Sequence, residues 1–284
     1  MMAAATVERI LGLIALGFGT GLYGTLIGAG GGFVLMPMLL LFYPTESPEI
    51  LTGISLAVVF FNALSGSESY AIMGRIDYRA GLMFAAATIP GAILGALNTA
   101  YVPRHLFNII FGVLILTGAV FLFLHPDLEQ KLRKDHARRH PHDITHHLVE
   151  ANGKAYTYSF NPLVGVVLSF FVGYVSSFLG IGGGIIHVPA LVYFLHFPVH
   201  IATATSHFIL AIMAFTGTTV HILSGSFSHG VIRTLSLGIG VVLGAPLGAH
   251  LSNRFRGGWI IRSLALALGL VGIRILILFI EGKG

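Results

Sequence analysis

Long apolar runs separated by short polar or glycine-rich breaks fill most of the chain, covering 8–27, 33–43, 50–73, 80–100, 105–124, 162–179, 185–197, 200–224, 230–251 and 258–280. Most of these runs can cross about 30 Å of hydrocarbon as helices, at about 1.5 Å per residue. Two cannot: 33–43 and 185–197 reach only about 16 to 20 Å, which predicts half-helices or re-entrant pieces. The pattern therefore predicts an all-α polytopic membrane protein of eight to ten membrane segments, two of them broken.

The two short runs occupy matching places in an internal repeat. GTLIGAGGGFVLMPML at 24–39 lines up with SSFLGIGGGIIHVPAL at 176–191, LTGIS at 51–55 with ATATS at 202–206, and PGAILGA at 90–96 with LGAPLGA at 243–249. This divides the chain into a membrane repeat at 1–124, a polar His-rich linker at 125–158 and a second membrane repeat at 159–284. Paired, interrupted hydrophobic segments in two halves are the pattern of secondary transporters, whose substrate sites lie between the repeats near the bilayer midplane. We read the repeats as inverted, because 7–27 already spans the membrane and the glycines after it require a reversal.

Composition and charge agree with this placement. Hydrophobic residues make up 55% of the 284 residues and charged ones 10%, against about 25% in soluble domains, which argues against a soluble enzyme. The net charge of +5 comes without a basic stripe interleaved with aromatics, so nucleic acid is not an expected partner. The positive charge sets topology instead: Arg75, Arg79, the linker's Lys and Arg, Arg254, Arg256 and Arg262 fall on one side, and Arg9, Arg104, Arg233 and Lys283 on the other. The positive-inside rule puts the linker in the cytoplasm, for inverted and parallel repeats alike. There is no cysteine, so disulfides, Cys-based metal sites and persulfide relays are excluded, and the residues call for no cofactor.

The glycine runs carry the first chemistry. Gly30, Gly31 and Gly32 precede one short helix, and Gly182, Gly183 and Gly184 precede the other. Without Cβ atoms such residues can turn several N–H groups toward one point beside the positive end of a helix, which makes an anion site. The competing reading is that they only permit a tight reversal or close helix packing. On the functional reading, valine at Gly31 or Gly183 abolishes transport without preventing folding.

The glycine-rich signatures each followed by proline (GAGGGFVLMP, GIGGGIIHVP), GRIDYRAG at 74–81, PGAILGA and ILTG at 115–118 resemble the TauE/SafE sulfite exporter family over nearly the whole chain outside the linker. The second half departs from the pattern, with SGSFSHG in place of GRIDYRAG. The resemblance implies transport of a small sulfur-containing anion such as sulfite, thiosulfate or an organosulfonate across a bacterial inner membrane.

Polar residues within apolar spans are further candidates, since each needs a partner or a cavity. Ser55, Asn62 and Ser65 share one face of the third run, while Thr203, Ser206 and His207 stand near the start of the eighth. All could donate to oxyanion oxygens or simply bond between helices. Glu68, His187 and His221 are candidates for carrying a coupling proton. Glu68 could equally be a helix-end carboxylate near Arg75, and Arg274 a substrate counter-charge. An alternative function is divalent-metal transport through His187, His207 and His221. In the linker, His142 and His146 would share a face if a helix formed. Oligomeric state is not legible.

Overall fold

The structure, a computed structural model, describes residues 2–124, 143–226 and 230–252, together with 254, 262, 265, 266, 269, 270, 272 and 273. Most of the last predicted run, Arg274 and the linker up to His142 lie outside the described residues. The chain forms α1 (Met2–Ile27), α2 (Gly32–Phe42), α3 (Pro48–Ile72), α4 (Tyr78–Thr99), α5 (Arg104–Leu124), strands β1 (Ile144–Val149) and β2 (Ala155–Phe160), then α6 (Pro162–Leu179), α7 (Gly184–Tyr193), α8 (Val199–Leu223) and α9 (Val231–Ser252). The predicted runs match these helices to within about two residues at most ends.

Among the described residues, six helices are long and apolar enough to cross a membrane: α1 from Val7, α3, α4, α6, α8 and α9. Their outer faces carry exposed Leu82, Leu94, Leu97, Leu235, Ile239 and Leu243, a surface that suits lipid and not water. Local sequence sets the helix starts. Ser47 accepts from the Ile50 N–H ahead of Pro48, Asp77 accepts from Ala80, and Asn161 accepts from Leu163 and Val164 ahead of Pro162.

Glycine contacts fix the helix directions. A Cβ on Gly240, Gly244 or Gly248 would sit 2.1 to 2.3 Å from the carbonyls of Ile14, Phe18 or Leu22, so α1 and α9 run parallel in close backbone contact. Gly91 and Gly95 approach Phe170 and Tyr174 in the same way, making α4 and α6 a second parallel seam. The GxxxG stretches 91–95 and 244–248 thus pack helices. Between the seams α3 and α8 cross antiparallel: Gly53 meets His221, Gly217 meets Leu56 and Gly66 meets His207. Ser65 and Val242 bond where α3 runs parallel to α9, so α1 and α3 point the same way and the chain must return between them. The return is made by the turn at 28–31 and α2. α2 and α7 have 11 and 10 residues, about 15 to 16 Å each.

The linker ends in structure. Residues 144–160 form an antiparallel hairpin, Ile144 opposite Phe160 and Val149 opposite Ala155, turned by Asn152 and Gly153, whose φ is +85°. His146 is therefore in a strand, which removes the helix face it was expected to share with His142. The alternation in ITHHLV and AYTYSF around an Asn-Gly turn is the signal for this element. The hairpin docks on the α3–α4 connection. Glu150, 1% exposed, holds Arg75 through two bonds of 3.1 and 3.3 Å. Asp77 takes His146 at 2.5 Å and the Tyr158 hydroxyl at 2.6 Å, while its backbone N–H donates to Thr205 on α8. Burial, and then the bond to Asp77, pushes the Tyr158 phenol well above its usual range, which keeps it a donor.

Candidate functional site

The two glycine turns meet at the middle of the molecule. Gly30 and Gly182 both abut the pair Val59 and Leu210, which lie near the midpoints of α3 and α8. A Cβ on Gly32 would lie 2.5 Å from the Ile181 carbonyl, and one on Gly184 would lie 2.1 Å from the Gly28 carbonyl, so each turn packs on the other's backbone. Gly28, Gly30 and Gly31 have φ of +82°, +73° and +74°, and Gly180 and Gly182 have +66° and +69°, conformations that L side chains rarely adopt. Gly183 differs. Its φ is −60°, and a Cβ would find only the side chains of Met213, Val172 and Ser176 at 3.1 to 3.5 Å. Valine at Gly31 would meet both the positive φ and the Thr20 carbonyl at 2.5 Å. A side chain at Gly31 is therefore strained whatever the space, whereas at Gly183 the nearest atoms to a Cβ belong to side chains.

These turns leave amides free. Gly28 N–H reaches the Thr25 carbonyl, and Ala29 and Gly30 reach Gly24, but no backbone acceptor takes the N–H groups of Gly31, Gly32 or Phe33. Ile181 N–H reaches Ser176, while those of Gly182, Gly183, Gly184 and Ile185 are likewise without backbone acceptors. Two buried sets of amides without backbone acceptors, at helix N-termini, therefore lie where the two turns meet.

Polar side chains flank the turns. The Thr25 hydroxyl donates to Asn62 Oδ1 at 2.9 Å, His207 Nε2 lies 3.2 Å from the same hydroxyl, and Tyr70 OH donates to the Thr25 carbonyl at 2.7 Å. Asn62 Nδ2, Ser206 Oγ and His207 Nδ1 are buried without a partner. On the opposite side of the centre the Ser55 hydroxyl donates to the Gly180 carbonyl at 2.5 Å, and the hydroxyls of Thr52, Ser176, Ser177 and Thr218 and His221 Nε2 are unpaired.

Other expected residues lie elsewhere or are committed. Thr203 packs its methyl on Gly28 and returns its hydroxyl to the Val199 carbonyl. Ser65 bonds the Val242 carbonyl on α9, away from the turns. His187 pairs with Ser169 on α6 at 3.0 Å. His221 packs on Gly53 one turn from the end of α8. Glu68 is exposed on α3, and Arg75 is paired with Glu150 instead. Thr25 and Tyr70 were missed. Thr25 immediately precedes the glycine motif by three residues, which is the signal that could have found it.

Comparison with known proteins bears on this geometry. The profile of the family described as Sulfite exporter TauE/SafE matches residues 13–275. The chain belongs to this family. It is a multi-pass membrane transporter. It is 30% identical over 270 residues to the probable membrane transporter protein YunE of Bacillus subtilis, covering 93% of this chain and 96% of the relative. It is 26% identical over 254 residues to the probable membrane transporter protein YdhB of the same organism, covering 89% and 90%. A probable membrane transporter protein of Xylella fastidiosa is 25% identical over 251 residues, covering 88% and 87%. No solved structure matches the chain.

Proposed function

We propose that this transporter carries a small sulfur-containing anion, such as sulfite, thiosulfate or an organosulfonate, by alternating access across a bacterial inner membrane. The observation that carries the reading is the meeting of two helix N-termini with unpaired, buried amides at the middle of α3 and α8. Aligned amides and helix dipoles favour negative charge without contributing a titrating group. Gly31, Gly32, Gly183 and Gly184 supply the amides, and Asn62, Ser206 and His207 orient the oxygens.

In this reading 1–124 and 159–284 are inverted repeats joined by a cytoplasmic segment. The antiparallel crossing of α3 with α8, and the exchange of partners in which α1 seats on α9 and α4 on α6, support that relation. Rocking one half against the other then opens the centre to each side in turn. The metal alternative gains no support: among the described residues no three His, Asp or Glu gather as ligands.

The test is thermal stability of the purified protein against sulfite, thiosulfate, sulfoacetate, taurine, phosphate, zinc and nickel. A ligand that binds only the folded state at about 100 times its Kd adds about 2.7 kcal/mol. Stabilisation by a sulfur anion and not by phosphate is expected. Stabilisation by zinc or nickel alone would overturn the reading.

A further inference from the structure

Among the described residues, no fixed positive charge stands at the glycine turns. Within the described helices the basic residues are Arg9, Arg79, Arg104 and Arg233, each within three residues of the start of its span or helix. Helix amides orient and attract an anion but carry only partial charge, and a fully desolvated ion without a counter-charge is costly. Among the described residues, the compensating charge then comes from a group that can gain one.

His207 is placed to do so. Thr25 has one hydroxyl proton, and it goes to Asn62 Oδ1. With the Thr25 oxygen accepting from His207 Nε2, the neutral ring is the Nε2–H tautomer. Nδ1 is left as a bare lone pair, fully buried and without a partner. The groups around the ring are known. From α1 and its turn come Thr25 and the Gly28 carbonyl, an acceptor beside the ring. From α3 come Gly66, whose Cα packs on the ring, and Tyr70, edge-on at 5.7 Å with its hydroxyl committed to Thr25. Beyond the end of α3, Arg75 is neutralised by Glu150, and Asp77 is held by His146 and Tyr158. His187 and His221 are poorer choices, the first bonded to Ser169 and the second near the far end of α8.

We infer that His207 takes up one proton at Nδ1 together with the anion, so that anion and proton cross as a pair. This deepens the anion reading above and rests on it. A bare Nδ1 lone pair repels an oxyanion, whereas Nδ1–H of an imidazolium donates to it and balances its charge. Conversely, an imidazolium with no anion is a buried unpaired charge. Each ligand therefore strengthens the other, reciprocally. Only the N–H bond forms, the proton comes from water on the loading side, and it leaves with the anion on the other.

The experiment is titration of the purified protein in weakly buffered detergent solution with thiosulfate and sulfoacetate, both fully ionised near neutrality, while a pH indicator reports proton uptake. The wild type is expected to take up about one proton per anion bound where the free ring is neutral, with affinity falling as pH rises, by up to tenfold per unit. His207→Gln keeps an N–H toward Thr25 but cannot be protonated. It is expected to bind at least tenfold more weakly, with no proton uptake and no pH dependence. Wild-type binding without proton uptake and with flat pH dependence would overturn the inference alone, as would a His207→Gln protein that still takes up the proton. The wild-type arm decides even if the variant does not fold. Failure of every sulfur anion to bind would overturn the anion reading, and this inference with it.

Discussion

On the side of the glycine centre nearer the hairpin, Thr25, Asn62, Tyr70 and His207 form a connected polar chain. At the positions that the sequence alignment sets against them on the other side stand Ser177, Met213, His221 and Leu56. The scaffolding is the same in both places. Gly66 is packed by His207 and Thr25, and its counterpart Gly217 by Leu56 and Ser177. Gly28 rests on Thr203, as Gly180 rests on Thr52. Backbone geometry is thus shared by the two sides, whereas the connected hydrogen-bond chain is built on one and the other holds unpaired hydroxyls and His221 Nε2. The difference teaches that the glycines satisfy a packing demand common to both halves, while the side chains around them need not be duplicated.

The largest expected effect breaks both halves at once. Gly32→Ala and Gly184→Ala each put a Cβ within 2.5 Å of a backbone carbonyl, at a cost of about 3 kcal/mol or more, and folded protein should be lost in size-exclusion chromatography. Gly183→Ala should elute as the wild type does. Next is the hairpin, which clamps only one side. Glu150→Ala leaves the Arg75 guanidinium buried and unpaired, worth about 3–5 kcal/mol, and should lower the thermal midpoint clearly.

A smaller effect separates the two polar sets. Asn62→Leu removes a donor, which for a charged acceptor is worth about 1.5–3 kcal/mol, so anion affinity should fall roughly 10- to 100-fold in a binding titration. Met213→Leu, at the matching position, should change it less than about twofold. Smallest is the serine pair. Ser55→Ala loses the bond to the Gly180 carbonyl and about 1 kcal/mol of stability, whereas Ser206→Ala should keep the melting temperature and weaken uptake into proteoliposomes a few-fold.

Much of this architecture was legible because helix length and hydrophobic pattern are local properties. The short runs at 33–43 and 185–197 appear as α2 and α7, and 162–179 matches α6 at both ends. The glycine runs and Asn62, Ser206 and His207 were legible as polar or flexible positions in apolar surroundings. Their commitments were not. Whether Ser65 faces the centre or α9, whether Glu68 is enclosed, and whether Arg75 pairs with Glu68 or Glu150 all depend on contacts between distant segments. The hairpin escaped because six histidines made 125–158 look like one solvated tract, although strand alternation around Asn152-Gly153 is present within it. Gly31 and Gly183 look equivalent in sequence and differ in φ by more than 130°.

The central claim is that an anion occupies the meeting point of the two turns. Its most direct test is to crystallise the protein with selenite, a heavier stand-in for sulfite, and locate selenium by anomalous scattering. The account predicts a peak between the amides of 31–33 and 182–185, within reach of Asn62 and Ser206. A peak confined to the arginines at the helix ends, such as Arg104 or Arg233, would contradict it.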